Sequence, residues 1–319
     1  MIGGIDLSRE PVVKLVNLTK RYRNKAVVDN LSFDMYRGEI VGLLGPNGAG
    51  KTTTMRMMVG LISITQGDVL INGHSITSDF VQAIAKIGGV IENPEFYPFF
   101  TGYENLQQFA NMYPDVTEAR IDEVVELLGL KSAIHKKVDA YSLGMRQRLG
   151  IAQALLHKPT VLILDEPTNG LDPAGIREMR IYFKTIAEKE GITVLVSSHL
   201  LSEIELMCDR VIIIKNGQFV DSQLIRGTSD DLRSNVVAFE LHDIDEAAKA
   251  QQLFTQRFPE CADQVVVRDG TLLAPVEKEN VPDIISLFVA EHIRIYAVKE
   301  ERKNLEETFL EKVGGNEIV

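Results

Sequence analysis

Nine consecutive residues, Gly45-Pro46-Asn47-Gly48-Ala49-Gly50-Lys51-Thr52-Thr53, carry the spacing G-x-x-x-x-G-K-[ST] that cradles phosphate. Glycines let successive backbone N–H groups converge on phosphate oxygens, and a helix behind the loop adds the partial positive charge of its N-terminus. Lys51 has the reach for terminal phosphates, and Thr52 offers a hydroxyl to magnesium. A second stretch, Val161-Leu162-Ile163-Leu164-Asp165-Glu166-Pro167, delivers two carboxylates from the end of four aliphatic residues. Asp165 is suited to hold magnesium through water, and Glu166 to orient an attacking water or accept its proton. Phosphate cradle and paired carboxylates together are the equipment for binding and hydrolysing a nucleoside triphosphate.

These groups need a scaffold that brings them to one edge. Residues 39–44 read as a buried strand leading into the loop, and residues 53–58 continue as a helix, the strand–loop–helix order the cradle requires. Residues 161–164 form a second buried strand and 193–196 a third, which ends in Ser197-Ser198-His199. Ligands of open parallel sheets bind at the C-terminal ends of the strands. His199 is therefore expected on the edge that carries Asp165 and Glu166, where a histidine is either structural or close to a terminal phosphate. Ahead of the loop, residues 12–17 and 26–33 read as strands. The polar connection between them carries Tyr22, an aromatic that either stacks on a nucleotide base or covers a sheet edge.

Residues 67–73 read as a strand closed by Asn72-Gly73, and 87–94 as a short strand that stops at Pro94. Glu95-Phe96-Tyr97-Pro98-Phe99-Phe100 follows, aromatics that are either core filler or a docking surface. Thr101-Gly102-Tyr103-Glu104 fits a capping box, residues 121–128 have helical periodicity, and Ser142 stands where it caps an apolar helix. Asn169 to Pro173 is a turn before another helix, and residues 211–220 form a hairpin through Asn216-Gly217. After a polar run over 226–231 the pattern restarts. Strands over 236–241, 264–268, 271–274 and 293–298 alternate with helices over 245–258 and 281–292, and a final helix is expected over 305–313. The order βαββαβ predicts a small ferredoxin-like α+β domain. The expected organisation is residues 1–224, a linker over 225–232, and an accessory domain over 233–319.

At 319 residues, with 45% apolar and 25% charged residues, the chain has the composition of a globular protein of two domains. A formal charge of -11 argues against a surface made for duplex nucleic acid. Cys208 and Cys261 lie far apart and lack metal-ligand spacing, which predicts inert thiols in a reducing compartment, the cytosol. The sequence shows no signal-peptide pattern and no run approaching the roughly 20 apolar residues of a membrane span, so a membrane role would be peripheral.

Taken in order, the segments over about residues 11–222 resemble the ATPase subunit of an ATP-binding cassette (ABC) transporter. The fold implied is an α/β P-loop NTPase cassette with a mostly parallel core sheet, an antiparallel β subdomain and a helical subdomain. In that family's terms Gly45 to Thr53 is Walker A, Val161 to Asp165 is Walker B, and Glu166 is the catalytic glutamate. Tyr22 resembles the adenine-stacking aromatic, Asn169 to Asp172 the D-loop and His199 the switch histidine. The signature Leu-Ser-Gly-Gly-Gln stands here as Tyr141-Ser142-Leu143-Gly144-Met145; it keeps Ser142 and Gly144, the positions that face a γ-phosphate across a dimer interface. Glu92 stands where the Q-loop glutamine is usual, and a carboxylate there still ligates magnesium while adding negative charge near the phosphates. Glu92, the Ser-Leu-Gly-Met signature and residues 304–310 resemble the branch that exports, or confers immunity to, bacitracin-type and lantibiotic peptides.

The resemblance implies ATP and Mg2+ as cofactors. Nucleotide contacts fall to Tyr22, Gly45, Pro46, Asn47, Gly48, Ala49, Gly50, Lys51, Thr52, Thr53, Ser142, Gly144 and Asp172, catalysis to Glu166, His199 and Lys51, and the metal to Thr52, Glu92 and Asp165. It also implies a homodimer, or a dimer with a related ATPase subunit, on the cytoplasmic face of the cell membrane. Membrane-spanning subunits would dock beside Glu92 and the aromatics from Phe96 to Phe100, and no nucleic-acid partner is expected. The rival is a soluble cassette ATPase acting on nucleic acid or ribosomes. Such proteins usually carry two cassettes or a long coiled-coil insertion, and this sequence has neither. A regulatory module with a degenerate site is opposed by the intact Lys51, Asp165, Glu166 and His199.

Overall fold

Strands that are aliphatic on both faces have to be covered on both faces, and four such segments build the centre of a six-stranded sheet. The computed structural model describes residues 10–198, 200–225 and 236–301. Its central sheet runs in the order Gln218–Leu224, Arg210–Lys215, Ile40–Leu44, Thr193–Ser197, Val161–Asp165, Ile87–Val90. All neighbours are parallel except Gln218–Leu224, the antiparallel return of the hairpin through Asn216-Gly217. The register sets Ser197 beside Leu43 on one side and Asp165 on the other. The glycine loop, which opens at Gly45, and the carboxylate pair therefore leave the sheet at the same edge.

A second, antiparallel sheet has the order Lys25–Met35, Val13–Tyr22, Gln66–Ile71, His74–Ser75. Its Val13, Leu15, Leu18, Leu31 and Met35 share one buried cluster with Val41 and Leu43 of the central sheet and with Met55, Met57 and Met58. Those methionines belong to the helix Lys51–Met58, which is thus gripped by both sheets; flexible thioethers suit the irregular gap between them. The helix starts two residues earlier than the sequence suggested, because Gly50 takes a left-handed φ of 102° as its N-cap. Arg210 ties the two sheets together. Its guanidinium forks onto Glu39 at 2.6 and 3.0 Å, and also donates to the Asp34 carbonyl at 2.6 Å.

The strand expected over 87–94 ends at Val90, since Glu92 has a φ of 69° and leaves extended geometry before Pro94 is reached. Three helices follow, Gly102–Ala110, Glu118–Leu127 and Leu143–Leu155. The capping box is formed in both directions, Glu104 N–H to Thr101 Oγ1 at 3.1 Å and Thr101 N–H to Glu104 Oε2 at 2.7 Å. These bonds hold the Glu104 carboxyl below its usual range. Helices Pro173–Glu190 and Leu201–Met207 complete this unit. Cys208 is buried and Cys261 half-buried, both outside any disulfide.

Described residues up to 225 belong to one compact unit and those from 236 to 301 to a second. The second carries an antiparallel sheet in the order Val266–Arg268, Thr271–Pro275, Val236–Leu241, Ile295–Glu301, with helices Ile244–Arg257 and Val281–Ala290. That is the ferredoxin-like arrangement. Phe239, Phe254 and Phe288 fill its core. The helix expected to reach residue 292 stops at Ala290, and His292 turns left-handed with φ 58°. The predicted final helix, and nearly all of the predicted linker, lie outside the described residues. Among the described residues no helix is long and apolar enough to cross a membrane.

Arg210 is 9% exposed, so Arg210→Ala strands the Glu39 carboxylate in a largely dry site. The expected cost is about 3 to 5 kcal/mol of stability, measured by urea unfolding of the full chain.

Candidate nucleotide site

The phosphate loop joins a strand buried at every position to a helix whose N-terminus has no side-chain cap and no acidic residue in its first turn. The positive end of that helix therefore has no acidic side chain of its own first turn. A Cβ on Gly50 would lie 2.8 Å from the Val27 carbonyl oxygen, whereas a Cβ on Gly48, φ 78°, would meet nothing within 4 Å. Gly50 is thus demanded by packing and Gly48 by conformation, and open space lies beside the loop. Lys51 is only 7% exposed. Its Nζ donates to the carbonyl oxygens of Gly45 at 2.7 Å and Pro46 at 3.3 Å. Burial pushes the Lys51 pKa down, while the carboxylates of Glu166 and Asp165 pull it back up. Thr52 and Thr53 occupy the first helical turn and are partly exposed.

At the same sheet edge, Asp165 ends its strand and Glu166 turns sharply with a φ of 48°. Ser197 bridges them: its hydroxyl donates to Asp165 Oδ1 at 2.5 Å and accepts the Glu166 N–H at 2.9 Å. Two residues on, the Thr168 hydroxyl donates to Glu203 Oε2 at 2.5 Å, and both residues are buried. His199 lies outside the described residues. Among the described residues no group of three His, Cys, Asp or Glu side chains is gathered as a metal site. Thr52 and Asp165 at one edge suit magnesium, which takes one or two carboxylates together with substrate phosphates and water instead of an all-protein cage.

Other expected site residues stand apart from this edge in the local sequence. Glu92 forms an ion pair with Arg56 of the helix behind the phosphate loop, so its carboxylate already has a cation. Tyr22 ends its strand 51% exposed, with Lys20 Nζ 5.1 Å from its ring centre. Tyr97, Phe99 and Phe100 cluster by their rings, yet Tyr97 and Phe99 stay exposed, which sets them apart from core filler. Ser142 caps its helix, accepting the Met145 N–H at 3.2 Å, and Asp172 caps the helix Pro173–Glu190 through the Gly175 N–H at 2.8 Å. Both caps open on a groove of about 350 Å3 lined by Ser142, Leu143, Gly144, Gly170, Leu171 and Asp172.

The family described as ABC transporter matches residues 28–169. An ABC transporter ATP-binding protein of Bacillus subtilis, YhcH, is 51% identical over 303 residues, 95% of this chain and 96% of that protein. The chain belongs to the ABC transporter ATP-binding proteins. The bacitracin transport ATP-binding protein BcrA of Bacillus licheniformis is 39% identical over 307 residues, covering 96% of this chain and 99% of its own. A solved dimeric ATP-binding cassette, bound to ADP and Pi in a post-hydrolysis state, superposes with a TM-score of 0.61 at 27% identity, spanning 68% of this chain and 100% of the cassette. The cassette unit is accordingly a nucleotide-binding ATPase of a transporter.

Two features of this ABC cassette escaped a reading of the sequence. Ser197 stands in the sequence only as a polar end of a buried strand, and Arg56 only as one residue of the helix after the phosphate loop. A hydroxyl after four residues of strand was visible, but the register that sets it against Asp165 was not.

Gly50→Ala forces a Cβ against the Val27 carbonyl in a backbone conformation that alanine resists. It is expected to remove more than about 1 kcal/mol of stability and to weaken ATP binding at least tenfold, roughly the loss of one charge-assisted contact. Urea unfolding and nucleotide titration check the two effects.

Proposed function

We propose that this chain is the ATP-hydrolysing subunit of an exporter of hydrophobic or peptide antibiotic-like compounds, working with separate membrane-spanning subunits on the cytoplasmic face of the membrane. End-to-end correspondence with the bacitracin transport protein, through both units, is what carries this reading. The charge of -11 and the single phosphate loop count against the rival role on nucleic acid or ribosomes.

In the proposed mechanism Lys51 leaves its loop carbonyls for the terminal phosphates and stabilises charge developing there, assisted by His199. Glu166 orients the attacking water and accepts its proton. Thr52 and Asp165 would hold magnesium, with Glu92 as a further carboxylate once released from Arg56. Magnesium, when bound, offsets the charge of the phosphate oxygens. Tyr22 supplies a ring for the adenine. The groove at Ser142, Gly144 and Asp172 receives the nucleotide of a second cassette, so the working form is a homodimer or a dimer with a related subunit. A solved cassette of this family is dimeric, which supports that arrangement. The exposed Tyr97 and Phe99 offer the membrane subunits an apolar contact beside Glu92. The second unit, residues 233–319 with a linker over 225–232, serves as an accessory domain.

Glu166→Gln should lower steady ATP hydrolysis by about 100-fold or more while ATP stays bound and a nucleotide-dependent dimer accumulates on gel filtration. Normal turnover would remove Glu166 from its role. The transport assignment is tested by recovering the chain from detergent-solubilised native membranes. Co-purification with a polytopic membrane protein is expected, and recovery only in the soluble fraction with ribosomes or nucleic acid would overturn it.

A further inference from the structure

Ser197 is fully buried at the end of Thr193–Ser197, a strand otherwise aliphatic after its first residue. Parallel pairing fixes it beside Asp165. Its single hydroxyl donates to Asp165 Oδ1 at 2.5 Å and accepts the Glu166 N–H at 2.9 Å. One oxygen thus restrains the side chain of the proposed magnesium ligand and the backbone of the proposed base, and it leaves Oδ2 as the Asp165 oxygen it does not use. Glu166 needs that restraint, because its φ of 48° is disfavoured for a residue with a Cβ. An aliphatic side chain at 197 would take this acceptor from the Glu166 amide, and with it the restraint on that backbone. The turn is also tethered downstream by the Thr168–Glu203 hydrogen bond. Loss of the Ser197 hydroxyl therefore loosens Asp165 and Glu166 while the turn stays attached.

We infer that Ser197 is a positioning residue of the hydrolytic site, setting Asp165 for magnesium and Glu166 for the attacking water. The inference rests on the assignment of Asp165 to magnesium made above. Its effect passes through the orientation of a metal-binding carboxylate, so it should be read in the magnesium dependence of nucleotide binding before it is read in turnover.

Threonine and valine have nearly the same shape and differ in the hydroxyl, so Ser197→Thr and Ser197→Val isolate it. The full-length protein is titrated with a fluorescent ATP analogue in EDTA and at increasing Mg2+ concentrations. Ser197→Val should raise the Mg2+ concentration for half-maximal enhancement of binding by about tenfold or more, Ser197→Thr by less than about twofold, with affinity in EDTA unchanged in both. Equal midpoints for the two variants, or a loss in EDTA by Ser197→Val as large as its loss in Mg2+, would overturn the positioning role. Asp165→Asn is the reference. If it leaves the Mg2+ midpoint unmoved, the magnesium assignment fails and this inference with it. If it shifts the midpoint while the threonine and valine variants coincide, only the role of Ser197 fails.

Discussion

Lys51 carries an ammonium into the interior of a loop, where hydration is largely withdrawn, and the rest of the cassette unit is arranged around that cost. Two loop carbonyls accept from Nζ, and two carboxylates from the next-but-one strand oppose the loss of its proton. A loop able to turn its carbonyls onto a lysine while keeping its amides for an anion needs residues without side chains. The helix it feeds must in turn be immovable. Gly45, Gly48 and Gly50 meet the first demand, and the second is met by placing the helix between two sheets, where its methionines belong to a single continuous core.

Two of the candidate site residues carry backbone strain. Glu92 and Glu166 both adopt left-handed φ values, a conformation that normally costs a residue with a side chain on the order of 1 to 3 kcal/mol. Each has a specific partner, Arg56 for Glu92 and the Ser197 hydroxyl for the Glu166 amide. The ion pair is largely solvated, with the Glu92 side chain 63% exposed, and pairs of that kind contribute less than about 1 kcal/mol. The Ser197 bond is part-buried, and its acceptor oxygen belongs to a fully buried residue. The two glutamates therefore differ in what is held: an exposed side chain for Glu92 and a part-buried backbone amide for Glu166.

The cassette and the second unit are separate packing problems. A solved cassette is matched over its whole length by 68% of this chain, so the P-loop fold does not need the remainder. The second unit has its own aromatic core, with Phe239 and Phe288 edge to face at 5.4 Å. Relatives that span nearly the whole chain place the pair of units in one lineage of transporter ATPases.

Nearly every element of the core was legible because its signals are local. Runs such as Val161 to Leu164 are too apolar to be solvated on either face, Thr101 to Glu104 closes its hydrogen bonds within one turn, and Asn216-Gly217 bends the chain by its own conformational preference. Boundaries failed where one residue departed from its local propensity, as at Glu92 and His292. The phosphate loop and the carboxylate pair were readable by themselves, since the spacing of glycines, lysine, hydroxyl and acids specifies their chemistry without reference to neighbours. Sequence thus determined which groups do the chemistry and which strands carry them. The tertiary structure alone decided that Ser197 meets Asp165, that Arg56 holds Glu92, and that Ser142 and Asp172 line one groove. Those contacts join residues tens of positions apart, and strand register and helix packing are fixed only when the whole core is buried at once.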